Sequence, residues 1–126
     1  MAAKKESLYA ELKRVFHEPS RLAIMSALAG ETDGLTFNEL KDECGLTFGN
    51  LSSHLKTLQD AGVIAIRKFF VGNKPCTQVC LTEAGRQSFI NYLQALEEVL
   101  KKAEDAVSKS VNKAGVAFSA KSVTQT

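Results

Sequence analysis

The sequence has little of what marks several large classes of protein. Its 126 residues include only two prolines, three cysteines and no tryptophan. Few prolines and an ordinary charged fraction of 24% exclude a collagen-like or low-complexity chain. The number of cysteines is odd, which does not suit a secreted disulfide framework; they are Cys44, Cys76 and Cys80. We therefore expect a reducing, cytoplasmic location.

Long apolar segments are also missing. No apolar run in the sequence approaches the roughly 18 residues that a membrane-spanning helix requires. Residues 1–6 are rich in charge where a signal peptide would carry an apolar stretch. We therefore expect neither a membrane partner nor a secretion signal.

The net charge of +2 is small, but the charges are unevenly distributed. Residues 31–45 carry five acidic side chains and one lysine, whereas residues 47–80 carry four basic side chains and one acid. Lys and Arg gain free energy next to a polyanion because they release counterions from its phosphates. The distribution is therefore weak evidence for a nucleic-acid partner.

The apolar residues predict a helical N-terminal half. Residues 4–16 carry apolar side chains at helical spacing, which predicts a first helix. Proline cannot continue a helix interior, so a break is expected before Pro19. Because proline is favoured in the first turn of a helix, a second helix is expected to begin there and to end at Gly30.

Capping residues predict the next two helices. Thr36 and Glu39 have the spacing of a capping box, in which each side chain accepts a hydrogen bond from a free backbone N–H at the start of a helix. Gly45 suits the left-handed residue that ends this short helix. Thr47 can cap the following helix, which runs to about residue 61. Because only three or four residues join them, residues 36–61 are predicted to form a helix-turn-helix.

The apolar period changes after this motif. Residues 63–81 alternate apolar and polar side chains on both sides of a Gly-Asn turn, which predicts a β-hairpin with a basic tip. Thr82 then caps a long helix over about residues 82–112, and residues 113–126 are expected to be a flexible tail. This order of elements predicts a single winged-helix domain over residues 1–112, mainly α with a β-hairpin wing.

The helix after Thr47 has a distinctive solvent face. At about 100° per residue, Leu51, Leu55 and Leu58 mark its apolar face, and the opposite face is small, polar and mostly uncharged at its N-terminal end. Short side chains allow close approach to the major groove of DNA, where Asn and Ser can bond to base edges or phosphates. The alternative is an ordinary solvated face, which is typically rich in Glu and Lys. We therefore favour DNA recognition.

Several short stretches also resemble a known superfamily. They are His17-Glu18-Pro19-Ser20-Arg21-Leu22, Gly49-Asn50-Leu51-Ser52-Ser53-His54-Leu55, Asp60-Ala61-Gly62, Gly72-Asn73-Lys74-Pro75 and Leu81-Thr82-Glu83-Ala84-Gly85-Arg86. In this order, over about residues 17–100, they resemble the winged-helix DNA-binding regulators of the ArsR and MarR superfamily, especially a compact branch of small prokaryotic regulators. The resemblance implies a homodimer, a recognition helix at residues 47–61 and a wing at about residues 67–76.

The predicted contacts with double-stranded DNA come from the recognition helix and the wing. Basic side chains of the wing can lie along the DNA backbone or enter the minor groove, where the potential attracts cations. A solubilising charged hairpin is the alternative. Phe69 and Phe70 are adjacent on a strand and point to opposite faces, so one of them is expected to be exposed or to face a partner chain. The predicted DNA-binding residues are Thr47, Phe48, Gly49, Asn50, Ser52, Ser53, Lys56, Arg67, Lys68, Asn73 and Lys74.

The long C-terminal helix carries a heptad seam of apolar residues. A seam of this length extends farther than one small core can cover, and in water it would be a large apolar patch. A second copy that buries it would hold two recognition helices about one DNA turn apart, as a palindromic operator requires. We therefore predict a homodimeric transcriptional regulator acting as a repressor, the alternative being that the helix folds back on its own domain. The predicted interface residues are Leu8, Leu12, Phe16, Phe89, Leu93, Leu96, Leu100, Ala103 and Val107.

Catalytic and metal chemistry have little support. Cys76 and Cys80 lie four residues apart on a predicted strand, about 13 Å, which is too far for a disulfide or for one tetrahedral metal ion. His54, at the edge of an apolar helix face, is expected to be packed or hydrogen-bonded within the protein. No phosphate loop or His-Glu-x-x-His motif occurs. We predict no enzyme activity, no cofactor and no metal. A small-molecule effector stays open, as does a winged-helix module that binds a protein instead of DNA.

Overall fold

A computed structural model of the protein describes residues 15–113. The elements in this range are α1 Pro19–Ala29, β1 Leu35–Thr36, α2 Phe37–Cys44, α3 Phe48–Asp60, β2 Ile64–Val71, β3 Lys74–Leu81 and α4 Glu83–Lys113. Within the described residues, four helices and a three-stranded antiparallel sheet form a winged helix, which confirms the predicted fold class.

The chain divides into two compact units, Met1–Ala95 and Leu96–Thr126. The structure describes residues 15–95 of the first unit and residues 96–113 of the second. The first unit contains the helix-turn-helix and the wing, and the described part of the second unit is helical.

The helix ends lie where local chemistry predicts them. The Glu39 backbone N–H donates to the Thr36 hydroxyl oxygen over 3.1 Å, and the Thr36 N–H donates to the Glu39 carboxylate over 2.9 Å, so the predicted capping box is formed. Gly45 ends α2 in the left-handed conformation, with φ of 65°. The Thr47 hydroxyl oxygen accepts from the Asn50 N–H over 3.1 Å at the start of α3. These caps fix the short turn between α2 and α3.

The sheet contains one strand that the sequence pattern does not predict. Strands β2 and β3 pair along their whole length, from Ile64 opposite Leu81 to Val71 opposite Lys74, and form the predicted hairpin. The additional strand β1 pairs with the other edge of β3, with Leu35 opposite Val79, so the strand order is β1-β3-β2. Two residues are too few to show an alternating pattern, which is why β1 was missed.

The core of the first unit includes two residues that the heptad seam assigns to a dimer interface. Phe16 and Phe89 are 1% and 3% exposed, and their rings meet edge to face with centroids 5.3 Å apart. Both also contact the ring of the buried Tyr92. They therefore belong to the core of their own chain and not to a free surface. Of the predicted helix over residues 4–16, only Val15 and Phe16 are described, in a turn, and Leu8 and Leu12 lie outside the described residues.

Candidate nucleic-acid interface

Helix α3 buries one face and exposes the other. Leu51, Leu55 and Leu58 are at most 3% exposed and hold the helix against the core of the first unit. The opposite side, which we call the outer face of α3, is exposed at every position that the sequence assigned to DNA contact. Its residues are Gly49, Asn50, Ser52, Ser53 and Lys56, with Thr47 and Phe48 exposed at the same N-terminal end.

Helix α1 helps to position α3 through a polar contact. The Arg21 guanidinium donates to His54 Nδ1 over 3.3 Å and to the Val15 carbonyl oxygen over 2.6 Å. Because a guanidinium can only donate, His54 Nδ1 is the acceptor. The expectation that His54 is hydrogen-bonded within the protein is thus correct. Its partner on α1, 33 residues away in sequence, could not be identified from the sequence.

Gly49 lies on the outer face without a conformational or packing reason for glycine. It is not among the glycines of the described residues that have positive φ, and a Cβ built on it would meet no atom within 4 Å apart from its chain neighbours and the backbone of its own helix. Glycine within a helix is about 0.5–1 kcal/mol less favourable than alanine. The absent side chain therefore leaves a flat, open surface at the start of α3 that folding does not require.

Phe48 is a large apolar side chain beside this flat surface. It is the first residue of α3 and is 66% exposed. Its ring lies against that of the half-buried Phe37, with centroids 4.9 Å apart and planes inclined by 48°. Phe37 is the first residue of α2, directly after the capping residue Thr36. The sequence pattern did not predict this contact, because the two residues begin different helices.

The wing presents exposed basic side chains. Arg67, Lys68 and Lys74 are exposed, and among the residues that the structure describes none of them has an acidic partner within salt-bridge distance. Asn73 is also exposed, in the turn. Phe69 and Phe70 are 38% and 72% exposed, so both adjacent rings reach solvent instead of one. The tip of the wing is therefore both basic and apolar.

A cleft of about 790 Å³ separates α3 from the wing. Lys56 of α3, Lys68 of β2 and Lys74 of β3 line it, so cations from three elements face one space. The ammonium group of Lys56 lies 3.6 Å from the Asp60 carboxylate, but both side chains are largely exposed, so this ion pair is weak. The apolar part of the lining comes from Phe37, Phe48, Leu55, Ile66, Val71 and Pro75.

The cysteines of the described residues form neither a disulfide nor part of a metal-ligand group. Cys44, Cys76 and Cys80 are free and half-buried, and burial, followed by the charge of Glu43, raises the pKa of the Cys44 thiol. Between residues 15 and 113, no three His, Cys, Asp or Glu side chains form a group that could hold a metal ion. In the same part of the chain, no helix combines the length and apolar character needed to cross a membrane.

The arrangement of helix-turn-helix, exposed recognition face and basic wing has a counterpart in a known family. Residues 20–100 match the winged helix DNA-binding domain. The chain belongs to the winged helix DNA-binding domain family. The match covers α2, α3, the turn between them and the wing, which together contain all the residues predicted to contact DNA.

Relatives of this winged helix DNA-binding domain include an uncharacterised protein of Methanocaldococcus jannaschii, 32% identical over 91 residues, which are 72% of this chain and 98% of that protein. The solved structure of a transcriptional regulator homologue from Pyrococcus horikoshii has a TM-score of 0.70 and 28% identity, over 78% of this chain and 97% of that one. Staphylococcus aureus MepR, solved in a complex with DNA, shares the fold with a TM-score of 0.62, at 16% identity over 89% of this chain and 92% of that one.

The family match confirms the winged-helix DNA-binding domain that the sequence motifs indicated. MarR-family transcriptional regulators are among the structural neighbours. The family and the fold of this winged helix DNA-binding domain are those of transcriptional regulators and not of enzymes.

Proposed function

We propose that the outer face of α3 binds the major groove of double-stranded DNA while the wing contacts the adjacent backbone or minor groove. In this proposal the protein is a homodimeric transcriptional regulator that represses genes by occupying a palindromic operator. The observation that carries the proposal is Gly49, an exposed position at the start of α3 that has no side chain, although a Cβ there would meet nothing outside its own helix within 4 Å. Close approach of another molecule is the physical use of such a gap.

The charges and the cleft support the same assignment. A phosphodiester strand separates the major from the minor groove, so a helix in one groove and a wing in the next have that strand between them. The cleft between α3 and the wing has Lys56, Lys68 and Lys74 in its lining, as a site for a phosphate backbone requires. MepR, whose fold this chain shares, has been solved bound to DNA.

A charge reversal on the outer face tests the proposal. Ser53→Glu places a carboxylate where phosphates and acceptor-rich base edges would lie. We expect Kd for a duplex selected from a random-sequence library to rise about a hundredfold, or about tenfold for each half-site. Fluorescence anisotropy measures the affinity, and circular dichroism verifies the fold.

Ser26→Glu is the matched control, because Ser26 is exposed on α1 and the substitution changes the net charge equally. It should change Kd by less than about twofold, as expected of one distant surface charge at physiological salt. Equal affinities of the two variants would contradict the assignment of the outer face. If the wild-type protein selects no duplex at all, the DNA-binding proposal fails and the alternative, a winged-helix module that binds a protein, is favoured.

The proposed dimer interface lies on α4. Leu93 is 41% exposed in the first unit, and Leu100 and Val107 are 59% and 58% exposed in the second, at successive seven-residue intervals. Ala103 is exposed as well, and Leu96 is half-buried. Exposed leucines at heptad spacing are typical of helices that pair. Since Phe16 and Phe89 are already buried within the chain, we propose the interface without them.

Sedimentation equilibrium tests the dimer. We expect the wild-type protein to have twice the mass of one chain, and Leu93→Glu combined with Leu100→Glu to give the mass of one chain, because charges in the seam cannot be buried together. Val71→Glu is the control, since Val71 is 62% exposed on the wing and its substitution should leave the mass unchanged. A wild-type mass of one chain at micromolar concentration would refute both the dimer and the palindromic operator.

A further inference from the structure

Phe48 stands out among polar neighbours on the exposed surface of α3. Its ring is 66% exposed, whereas Gly49, Asn50 and Ser52 next to it are small or polar. Single exposed apolar residues are common on protein surfaces and need no explanation by themselves. Phe48 differs because its ring is supported: it lies 4.9 Å from the ring of Phe37, centroid to centroid. A supported ring loses less rotamer freedom when it makes a contact, which favours binding through its free side.

The surroundings of Phe48 indicate what kind of group it contacts. Ser52, Lys56 and Lys68 line the same cleft together with the apolar residues named above, so the ring of Phe48 faces a mixed surface with hydroxyl and ammonium groups beside apolar ones. An apolar surface on a protein partner would leave Lys68, which has no acidic partner among the described residues, without a counter-charge. A nucleic acid supplies the counter-charge through its phosphates, and in the major groove it also carries one apolar group, the 5-methyl of thymine.

We propose that Phe48, held in place by Phe37, contacts the 5-methyl group of a thymine in the major groove and so selects thymine at one position of each half-site. The inference rests on the proposed function and adds to it the base that this residue reads. In this arrangement Phe48 is the specificity-determining residue and Phe37 is a positioning residue. Asn50 and Ser53 are left to bond with the polar base edges.

Uracil isolates the contact, because it differs from thymine only in lacking that methyl group and has the same hydrogen-bonding edges. The duplex selected by the wild-type protein is therefore remade with each thymine of one half-site replaced singly by uracil. Burying one methyl group is equivalent to about a fourfold change in Kd. We expect the wild-type protein to show this loss at one thymine, and Phe48→Ala to bind the thymine and uracil duplexes equally.

Three further variants separate the contact from general effects. Phe70→Ala removes an equally exposed ring on the wing and should keep the full thymine-to-uracil ratio of Kd values. Phe48→Leu keeps an apolar side chain and should keep part of the ratio. Phe37→Leu should lower the ratio although Phe48 is present, since it withdraws the support of the ring. Thermal unfolding verifies that each variant is folded, and Phe48→Leu takes the place of Phe48→Ala if the latter is not.

The outcomes distinguish this inference from the function on which it rests. One outcome is that the protein selects a duplex in which replacing any thymine by uracil leaves Kd unchanged. That result would overturn the proposed contact with thymine and would leave DNA binding intact. The contact with thymine is also overturned if Phe48→Ala keeps the wild-type thymine-to-uracil ratio of Kd values. It is overturned as well if Phe48→Ala changes only the mass measured by sedimentation, because the ring would then contact another protein chain. If no duplex is selected, the proposed function fails, and the inference fails with it.

Discussion

Gly49 and Gly85 both lie in the first turn of a helix, but the space around them differs. A Cβ at Gly85, at the start of α4, would overlap the backbone of Val63, whereas a Cβ at Gly49 would meet nothing within 4 Å. The approach at Gly85 is fixed by the Thr82 hydroxyl, which donates to the Gly62 carbonyl oxygen over 2.7 Å and accepts from the Gly85 N–H over 2.8 Å. Packing therefore requires glycine at position 85 and does not require it at position 49.

The largest expected effect is a loss of stability on substitution of Gly85. Gly85→Ala places a methyl group into the Val63 backbone, which cannot move aside as a flexible side chain would. We expect the free energy of unfolding to fall by about 3 kcal/mol, at the upper end of the usual range for overpacking. Urea denaturation followed by circular dichroism measures it. A loss of less than about 1 kcal/mol would mean that α4 shifts easily away from the turn before β2.

Gly49→Ala should have the opposite effect on stability. Alanine is the better helix former and meets no atom here, so we expect the free energy of unfolding to stay constant or to rise by about 0.5 kcal/mol. DNA binding should nevertheless weaken about tenfold for each half-site, because the methyl group occupies the space left for close approach. Measuring both quantities on one preparation is decisive. Unchanged affinity would show that no molecule uses the gap.

The smallest expected effect concerns the wing. Lys74→Ala removes one exposed cation. The slope of log affinity against log salt should become shallower by about 0.9 for each lost phosphate contact, which corresponds to DNA binding about fivefold weaker per half-site at about 0.15 M salt. The substitution should weaken binding to all DNA sequences alike, since phosphate contacts do not specify bases. Lys109→Ala on α4, also exposed, is the control and should keep the wild-type slope. A wild-type slope for Lys74→Ala would remove this lysine from the interface.

Much of the first unit could be predicted because its signals are local. The capping residues Thr36 and Thr47, the left-handed Gly45 and the alternation around the wing turn each act within a few residues of themselves. The exposed face of α3 follows in the same way from the buried positions of Leu51, Leu55 and Leu58, which define the opposite side. The predicted contact residues were therefore exposed, although their contacts with DNA stay a prediction.

The errors and omissions concern contacts between residues far apart in sequence. Periodicity states which face of α4 is apolar but not which neighbour covers it, so Phe89 was assigned to a partner although Phe16 of the same chain lies against it. The hydrogen bond from Arg21 to His54 has no sequence signature either. The meeting of Phe37 and Phe48 depends on the angle between two helices, which their sequences do not specify.

The base of the wing is packed against the domain, whereas the side chains of its tip are exposed. Among the residues that the structure describes, strand β3 is paired on both edges only at Gln78 and Val79, and from Lys74 to Thr77 it pairs with β2 alone. Side chains at the base are buried or half-buried, and those around the turn face water. Substitutions at the tip therefore escape the selection for folding that constrains the base. Descendants of one gene can therefore vary in charge and shape at the tip while the same stable domain is inherited.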